Sequence, residues 1–100
     1  MAFGTLEVQT SKRFDAYLIN LRDTTAKVKI LARVARLSLG NWGDAAPVGE
    51  GVTELRIHYG PGYRIYCRQI GSKIVILLGA GTKKDQQSDI DAAKADAKNL

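Results

Sequence analysis

The sequence predicts an α+β domain in which a helical hairpin packs on a mostly antiparallel four-stranded sheet, followed by a C-terminal helix. Three observations lead to this fold class: a hairpin signal at residues 60–62, helical spacing of apolar residues over 11–39, and a continuous apolar run at 74–80. The predicted order is strand, two helices, three strands and helix, within one domain spanning residues 1–100.

Two helices are predicted in the first half of the chain, after a weak strand at residues 5–9. Ser11 can cap the first helix, because a serine oxygen accepts a hydrogen bond from a free amide of the first turn. Asp23 or Thr24 caps the second helix, which ends before Gly40. The buried side of this second helix is predicted to consist of four residues at helical spacing: Ala26, Ile30, Val34 and Leu37.

A row of cations follows the other side of the second helix. Lys29, Arg33 and Arg36 recur at spacings of four and three, which places them along one helix edge. A solvated face is the commoner meaning of such a row. Binding of RNA or of an acidic partner is the alternative.

The hairpin signal follows a stretch, residues 41–51, whose glycines and proline predict a loop. Pro61 and Gly62 suit the second and third positions of a turn, and a three-residue loop keeps the apolar residues of both strands on one face. The other face is then expected to be open and cationic. Its predicted cross-strand pairs are Arg56 with Tyr66, His58 with Arg64, and Glu54 with Arg68.

The last helix is predicted to begin at Asp85 or Ser88 and to have a thin apolar stripe. The stripe contains Ile90, Ala93 and Ala97. Because so little apolar surface attaches this helix, we expect it to be able to move, and its function to depend on that movement.

The composition limits the sites that this chain can build. Cys67 is the only cysteine, so no internal disulfide is expected, and its place on the apolar face predicts a buried, unreactive thiol. One histidine and one cysteine cannot form a zinc site, and no cofactor is expected. The first residues lack a signal-peptide pattern and no apolar run can span a bilayer, which favours a cytoplasmic protein.

The charge balance favours a polyanionic partner. The net charge is +5, and four aspartates lie in the C-terminal segment, so the rest of the chain is more strongly basic. No basic amphipathic helix carries a Trp or Phe anchor of the kind found at membrane surfaces. Nucleic acid is therefore the favoured partner, and a membrane is not.

Several motifs after Leu37 occur together in this chain. They are Gly40-Asn41-Trp42-Gly43-Asp44, Val48-Gly49-Glu50-Gly51-Val52, Glu54-Leu55-Arg56-Ile57, Gly60-Pro61-Gly62-Tyr63-Arg64-Ile65-Tyr66, Leu77-Leu78, Lys83, Gln86 and Asp89-Ile90. This combination resembles the RelE/ParE toxin superfamily, in its branch of addiction module killer proteins, close to HigB-type toxins. The sequence departs from the branch after the last strand, where Ala80, Thr82 and Lys84 replace the Gly, Asp and Ser that are common there, while Lys83 is retained.

The resemblance implies a toxin that is neutralised by a small antitoxin, typically a helix-turn-helix protein. Many members of the superfamily cleave messenger RNA on the ribosome, and others poison DNA gyrase. We expect a ribosome-associated endoribonuclease. The alternatives are a non-catalytic toxin that acts on gyrase, and a degenerate phage-derived toxin that only binds its antitoxin.

The residue types fit cleavage of RNA without a metal ion. The 2′-hydroxyl must attack its own phosphate, so the site needs proton transfer and cations that stabilise the phosphorane. The residues expected to carry catalysis are Arg56, Arg64, Tyr66 and Lys83, and those expected to bind RNA are His58, Lys84, Lys29, Arg33 and Arg36.

Overall fold

The computed structural model describes residues 4–100, which form a five-stranded sheet with helices on both faces. The strand order is β1-β5-β4-β3-β2, and only β1 runs parallel to its neighbour. The elements are β1 (Glu7–Thr10), α1 (Lys12–Asn20), α2 (Thr24–Ser38), β2 (Ala45–Gly49), β3 (Val52–Ile57), β4 (Tyr63–Ile70), β5 (Ile74–Thr82), a single 3-10 turn (Lys83–Asp85) and α3 (Gln86–Ala97).

The predicted helix boundaries are confirmed. The Ser11 hydroxyl accepts a hydrogen bond from the Phe14 amide at 3.1 Å, and the Asp23 carboxylate accepts one from the Ala26 amide at 3.0 Å. Gly40 follows α2 with a φ of 85°, as a residue just past a helix end often does. Among the residues described, no helix is long and apolar enough to cross a bilayer. The prediction about a signal peptide concerns a segment that begins with residues 1–3, and these three residues lie outside the described part of the chain.

The prediction of four strands is wrong, because residues 45–49 form a strand where a loop was expected. This strand, β2, pairs antiparallel with β3 at the edge of the sheet. An edge position tolerates Pro47, because the missing amide donor belongs to the side without a neighbouring strand. The turn between the two strands contains Glu50, whose φ is 54° between two glycines that also have positive φ. The glycines that predicted a loop here therefore form a tight hairpin turn.

The β3–β4 hairpin has its pairing shifted by two residues from the prediction. Arg56 lies opposite Arg64, and Leu55 lies opposite Ile65. The reason is the loop, which spans residues 58–62 because β3 ends at Ile57. A shift of two leaves every side chain on its predicted face.

The predicted cross-strand pairs are therefore wrong in detail. Glu54 lies opposite Tyr66 instead of Arg68, and Arg68 lies opposite Val52. His58 lies beyond the end of β3 and pairs with no strand residue.

Apolar side chains pack on both faces of the sheet. The larger group lies under α1 and α2, and the smaller group lies under α3 and contains Val52, Tyr66, Leu78, Ile90, Ala93 and Ala97. The apolar run of β5 is explained by this arrangement, since Leu77 belongs to the first group and Leu78 to the second.

Helix α3 covers the sheet face that was expected to be open. Its predicted stripe, residues 90, 93 and 97, is buried as expected. Two polar contacts hold its C-terminal end: the Arg13 guanidinium lies 2.9 Å from the Asp96 carboxylate, and Arg68 Nη1 donates to the carbonyl of Ala97 at 3.0 Å. In the first turn, Asp89 packs so closely on Gly81 that a Cβ at position 81 would collide with its carboxylate.

We predict that Gly81→Ala loosens α3 from the sheet. The added methyl overlaps the Asp89 carboxylate, and such overpacking typically costs about 1 to 3 kcal/mol. Relative to the wild type, amide hydrogen exchange is expected to speed up in α3 more than in β4. The control is Gly4→Ala, where an added Cβ meets nothing within 4 Å. Unchanged exchange in α3 of the Gly81 variant would contradict this close packing.

Candidate functional site

The buried carboxylate of Glu54 lies at the centre of a charged group on the α3 side of the sheet. Its Oε1 accepts a hydrogen bond from Arg56 Nε at 3.1 Å and lies 3.5 Å from Arg64 Nε, while Oε2 accepts one from Gln86 Nε2 at 2.8 Å. The side chain of Glu54 is only 1% exposed. Because Arg56 and Arg64 are direct cross-strand neighbours, their charges repel, and the carboxylate between them offsets that repulsion.

The hairpin turn holds the backbone of Lys83 beside Arg64. The carbonyl of Gly62 accepts two hydrogen bonds, one from Arg64 Nη1 at 3.0 Å and one from the Lys83 amide at 2.9 Å. Gly62 has a φ of 82°, which favours glycine. Lys83 itself is exposed, as is Lys84 beside it. Arg64, which was expected to face solvent, has a side chain only 12% exposed.

Tyr66 is buried under α3, so the expectation that it lies on an open face is wrong. Its hydroxyl has no hydrogen-bond partner among residues 4–100, and neither does Arg64 Nε. Burial raises the pKa of the Tyr66 phenol, and the nearby charge of Glu54 raises it further. The phenol is therefore neutral near pH 7 and is a weaker acid than an exposed tyrosine.

The only histidine is linked to this charged group through Asp44. His58 Nε2 lies 2.6 Å from Asp44 Oδ2, and Asp44 Oδ1 lies 3.5 Å from Arg56 Nη1. The hydrogen bond from His58, with the charge of Arg56, lowers the pKa of the Asp44 carboxyl. An unbroken chain of contacts thus runs from the exposed imidazole to the buried carboxylate of Glu54.

Arg33 does not lie on the exposed cationic row where it was predicted. It is buried, and its guanidinium donates hydrogen bonds to the carbonyls of Arg56, Trp42 and Asp44, the last two at 2.9 and 2.7 Å. Burial lowers the pKa of Arg33. Gly43 has a φ of 61°, and a Cβ there would meet the guanidinium at 3.0 Å. Arg33 therefore fixes the loop that carries Asp44.

The other two residues of the predicted row remain on the surface. The Lys29 ammonium lies over the ring of Tyr59, 5.4 Å from its centroid, which permits a cation–π interaction. Lys29 and Arg36 line an open cavity of about 430 Å³ together with Arg56 and His58. Four of the nine residues that line this cavity are Lys or Arg, and one, Asp44, is acidic.

Cys67 is a free cysteine that lies in the core. The thiol is fully buried, and burial raises its pKa to about 12, which confirms the prediction of an unreactive cysteine. Across residues 4–100, no group of three His, Cys, Asp or Glu side chains could hold a metal ion.

Sequence reasoning missed two residues of this site, Glu54 and Asp44. Glu54 was assigned to a surface pair with Arg68, and Asp44 was noted only as part of a motif. The available signal for Glu54 was its position two residues before Arg56 on the same strand face. Asp44 is fourteen residues from His58 in the chain, and no local pattern connects the two.

One relative with a similar sequence is an uncharacterised protein of Haemophilus influenzae. It is 44% identical over 96 residues, which cover 96% of this chain and 97% of the relative. The chain belongs to the family of this protein. No family model matches the sequence.

Two solved toxin structures share the fold. A mutant of the Escherichia coli toxin RelE in the free state aligns with a TM-score of 0.69 at 14% identity, over 95% of this chain and 98% of that one. The RelBE2 toxin–antitoxin complex of Mycobacterium tuberculosis aligns with a TM-score of 0.54 at 19% identity, over 80% of this chain and 100% of that one. The RelE-like fold expected from the motifs is therefore confirmed.

In this RelE-like fold, Arg33→Ala is predicted to destabilise the protein through the loop that Arg33 fixes. The change leaves three carbonyls without their donor and should lower the free energy of unfolding by about 3 kcal/mol. Arg36→Ala, on the exposed side of α2, should change it by less than about 0.5 kcal/mol. Urea denaturation measures both. Equal, small effects would contradict the structural role of Arg33.

Proposed function

We propose that this protein is the toxin of a type II toxin–antitoxin module and that it cleaves messenger RNA on the ribosome in the cytoplasm without a metal ion. Support comes from the RelE-like fold and from the motifs of the HigB-like branch. The observation that carries the proposal is the convergence of Arg56 and Arg64 on Glu54, with the backbone of Lys83 bonded to the Gly62 carbonyl that Arg64 also contacts.

The three cations match the demands of phosphodiester cleavage. When the 2′-hydroxyl attacks, the phosphorus gains a fifth oxygen and additional negative charge, which fixed cations stabilise. Arg64 is oriented by Glu54 and by the Gly62 carbonyl, so its guanidinium needs little reorientation when charge develops on RNA that has already bound. In this proposal Lys83, which is exposed, makes the first contact with the phosphate.

Proton transfer is assigned to His58. The imidazole is exposed, and Asp44 Oδ2 can orient it by accepting a hydrogen bond from Nε2 at 2.6 Å. The His58 imidazole can accept the proton of the 2′-hydroxyl. Water or a ribosomal group donates a proton to the leaving 5′-oxygen. Tyr66 is assigned a hydrogen bond to the bound RNA rather than proton transfer, because burial raises the pKa of its phenol and makes it a weaker acid.

Tyr66 and Arg64 Nε reach RNA only if α3 moves aside. Both have buried donors with no hydrogen-bond partner among the described residues, an arrangement that usually costs free energy and frequently marks a functional site. Helix α3 is attached by only three small or medium apolar residues and a few polar contacts. Its displacement would give those donors access to a phosphate or a base.

Further RNA contacts are assigned to the surface cations Lys84, Lys29 and Arg36. They are exposed and carry no acidic partner within the described chain, as expected for groups that track a phosphate backbone. The proposed antitoxin is a helix-turn-helix protein encoded beside this chain.

Expression of the chain alone in bacteria tests the proposal. We predict early loss of methionine incorporation in pulse labelling, before any change in DNA supercoiling. Lys83→Ala should remove the toxicity and slow cleavage by about 100-fold, because one cation that contacts the phosphate is lost. The matched control is Lys73→Ala, which removes an exposed lysine at the opposite end of β5 and should remain toxic.

Both lysines are exposed, so both variants should melt at the wild-type temperature. Early double-strand breaks with intact translation would instead identify a gyrase poison. Normal growth with the wild-type chain folded would identify a degenerate toxin. If the Lys83 variant is fully toxic, Lys83 does not belong to the site.

A further inference from the structure

Helix α2 carries a second apolar side that nothing in the described structure covers. Three large residues, Val28, Leu31 and Leu39, are 60%, 47% and 59% exposed. Ala32 and Ala35 lie between them and are also exposed. At 3.6 residues per turn these five positions share one side of the helix, which we name the outer stripe.

The outer stripe is separate from the side that attaches α2 to the sheet. Ala26, Ile30 and Leu37 are fully buried on the opposite side of the helix. A surface helix needs one apolar side to bind its own domain, so a second contiguous one indicates a binding surface.

The charges along the stripe select the kind of partner. Helix α2 contains no acidic residue, and the helical geometry places Lys29 and Arg36 along one border of the stripe and Lys27 along the other. Two copies of this chain meeting through their stripes would oppose cation to cation, which disfavours self-association. An apolar surface bordered by acids is complementary.

We propose that the outer stripe binds an amphipathic helix of the antitoxin, with apolar residues facing Val28 and Leu31 and acids facing the bordering cations. This inference rests on the proposed function, because it names the binding surface for that partner. Lys29 and Arg36 are seven residues apart, about 10 Å along the helix axis, so the partner helix carries acids at about that separation. An acid placed there also reaches the cavity that these cations share with His58.

The test measures binding of the protein encoded by the gene beside that of this chain, using surface plasmon resonance. The double variant Val28→Asn with Leu31→Gln keeps the charge and removes the apolar contact. It should weaken binding by about tenfold or more, mainly through faster dissociation. The matched control is Ile19→Gln, which replaces an apolar residue that is 76% exposed on α1 and should alter affinity by less than about twofold.

A charge-reversed variant, Lys29→Glu with Arg36→Glu, tests the borders of the stripe. It should slow association about tenfold and reduce its dependence on salt. If this variant weakens binding while the apolar double variant does not, the surface is purely electrostatic, of the kind that binds nucleic acid, and the proposed helix docking is wrong.

Two outcomes separate this inference from the proposed function. If the wild-type chain binds the neighbouring protein and all the variants bind it equally well, the stripe is not the interface and the toxin–antitoxin assignment stands. If the wild-type chain does not bind it at all, both fail. In cells, the apolar double variant should stay toxic while the neighbouring protein no longer rescues growth.

Discussion

The buried carboxylate of Glu54 is the constraint on which the arrangement of this site depends. Pairing of β3 with β4 places Arg56 directly opposite Arg64, and a negative charge between them makes that pairing acceptable. Burying a carboxylate costs several kcal/mol unless it is paired and hydrogen-bonded, and Glu54 has both kinds of partner. Its second oxygen binds Gln86, so the same group also connects the sheet to the start of α3.

The two sides of the sheet differ in stability. Under α1 and α2 the apolar core is the larger one, and the buried guanidinium of Arg33 there bonds three carbonyls, whereas under α3 a small apolar group surrounds more of the buried polar atoms that lack hydrogen-bond partners. The α3 side is therefore the less stable one, and local opening there costs less than global unfolding. In the proposed function, RNA gains access through this side, while the opposite side keeps Arg56 and Arg64 in place.

The sequence predicted what depends on local spacing and missed what depends on distant partners. Ser11 was recognised as a cap, and Asp23 as one of two candidates, because a cap acts within one turn. The faces of β3 and β4 were predicted correctly, but the register was not, because Gly-Pro-Gly indicates a turn without giving the length of its loop. Arg33 has the spacing of a surface cation, and only the path of the following loop, which brings three carbonyls to it, explains its burial. The burial of the Tyr66 side chain likewise depends on where α3 packs.

A double-mutant cycle between Glu54 and Arg64 tests the central claim most directly. Glu54→Gln, Arg64→Gln and the double variant are compared with the wild type by urea denaturation. The account predicts that the double variant loses at least about 1 kcal/mol less stability than the sum of the two single changes, because each single change leaves a buried charge without its partner. Additivity within about 0.5 kcal/mol would show that the two residues are not coupled and would contradict the account.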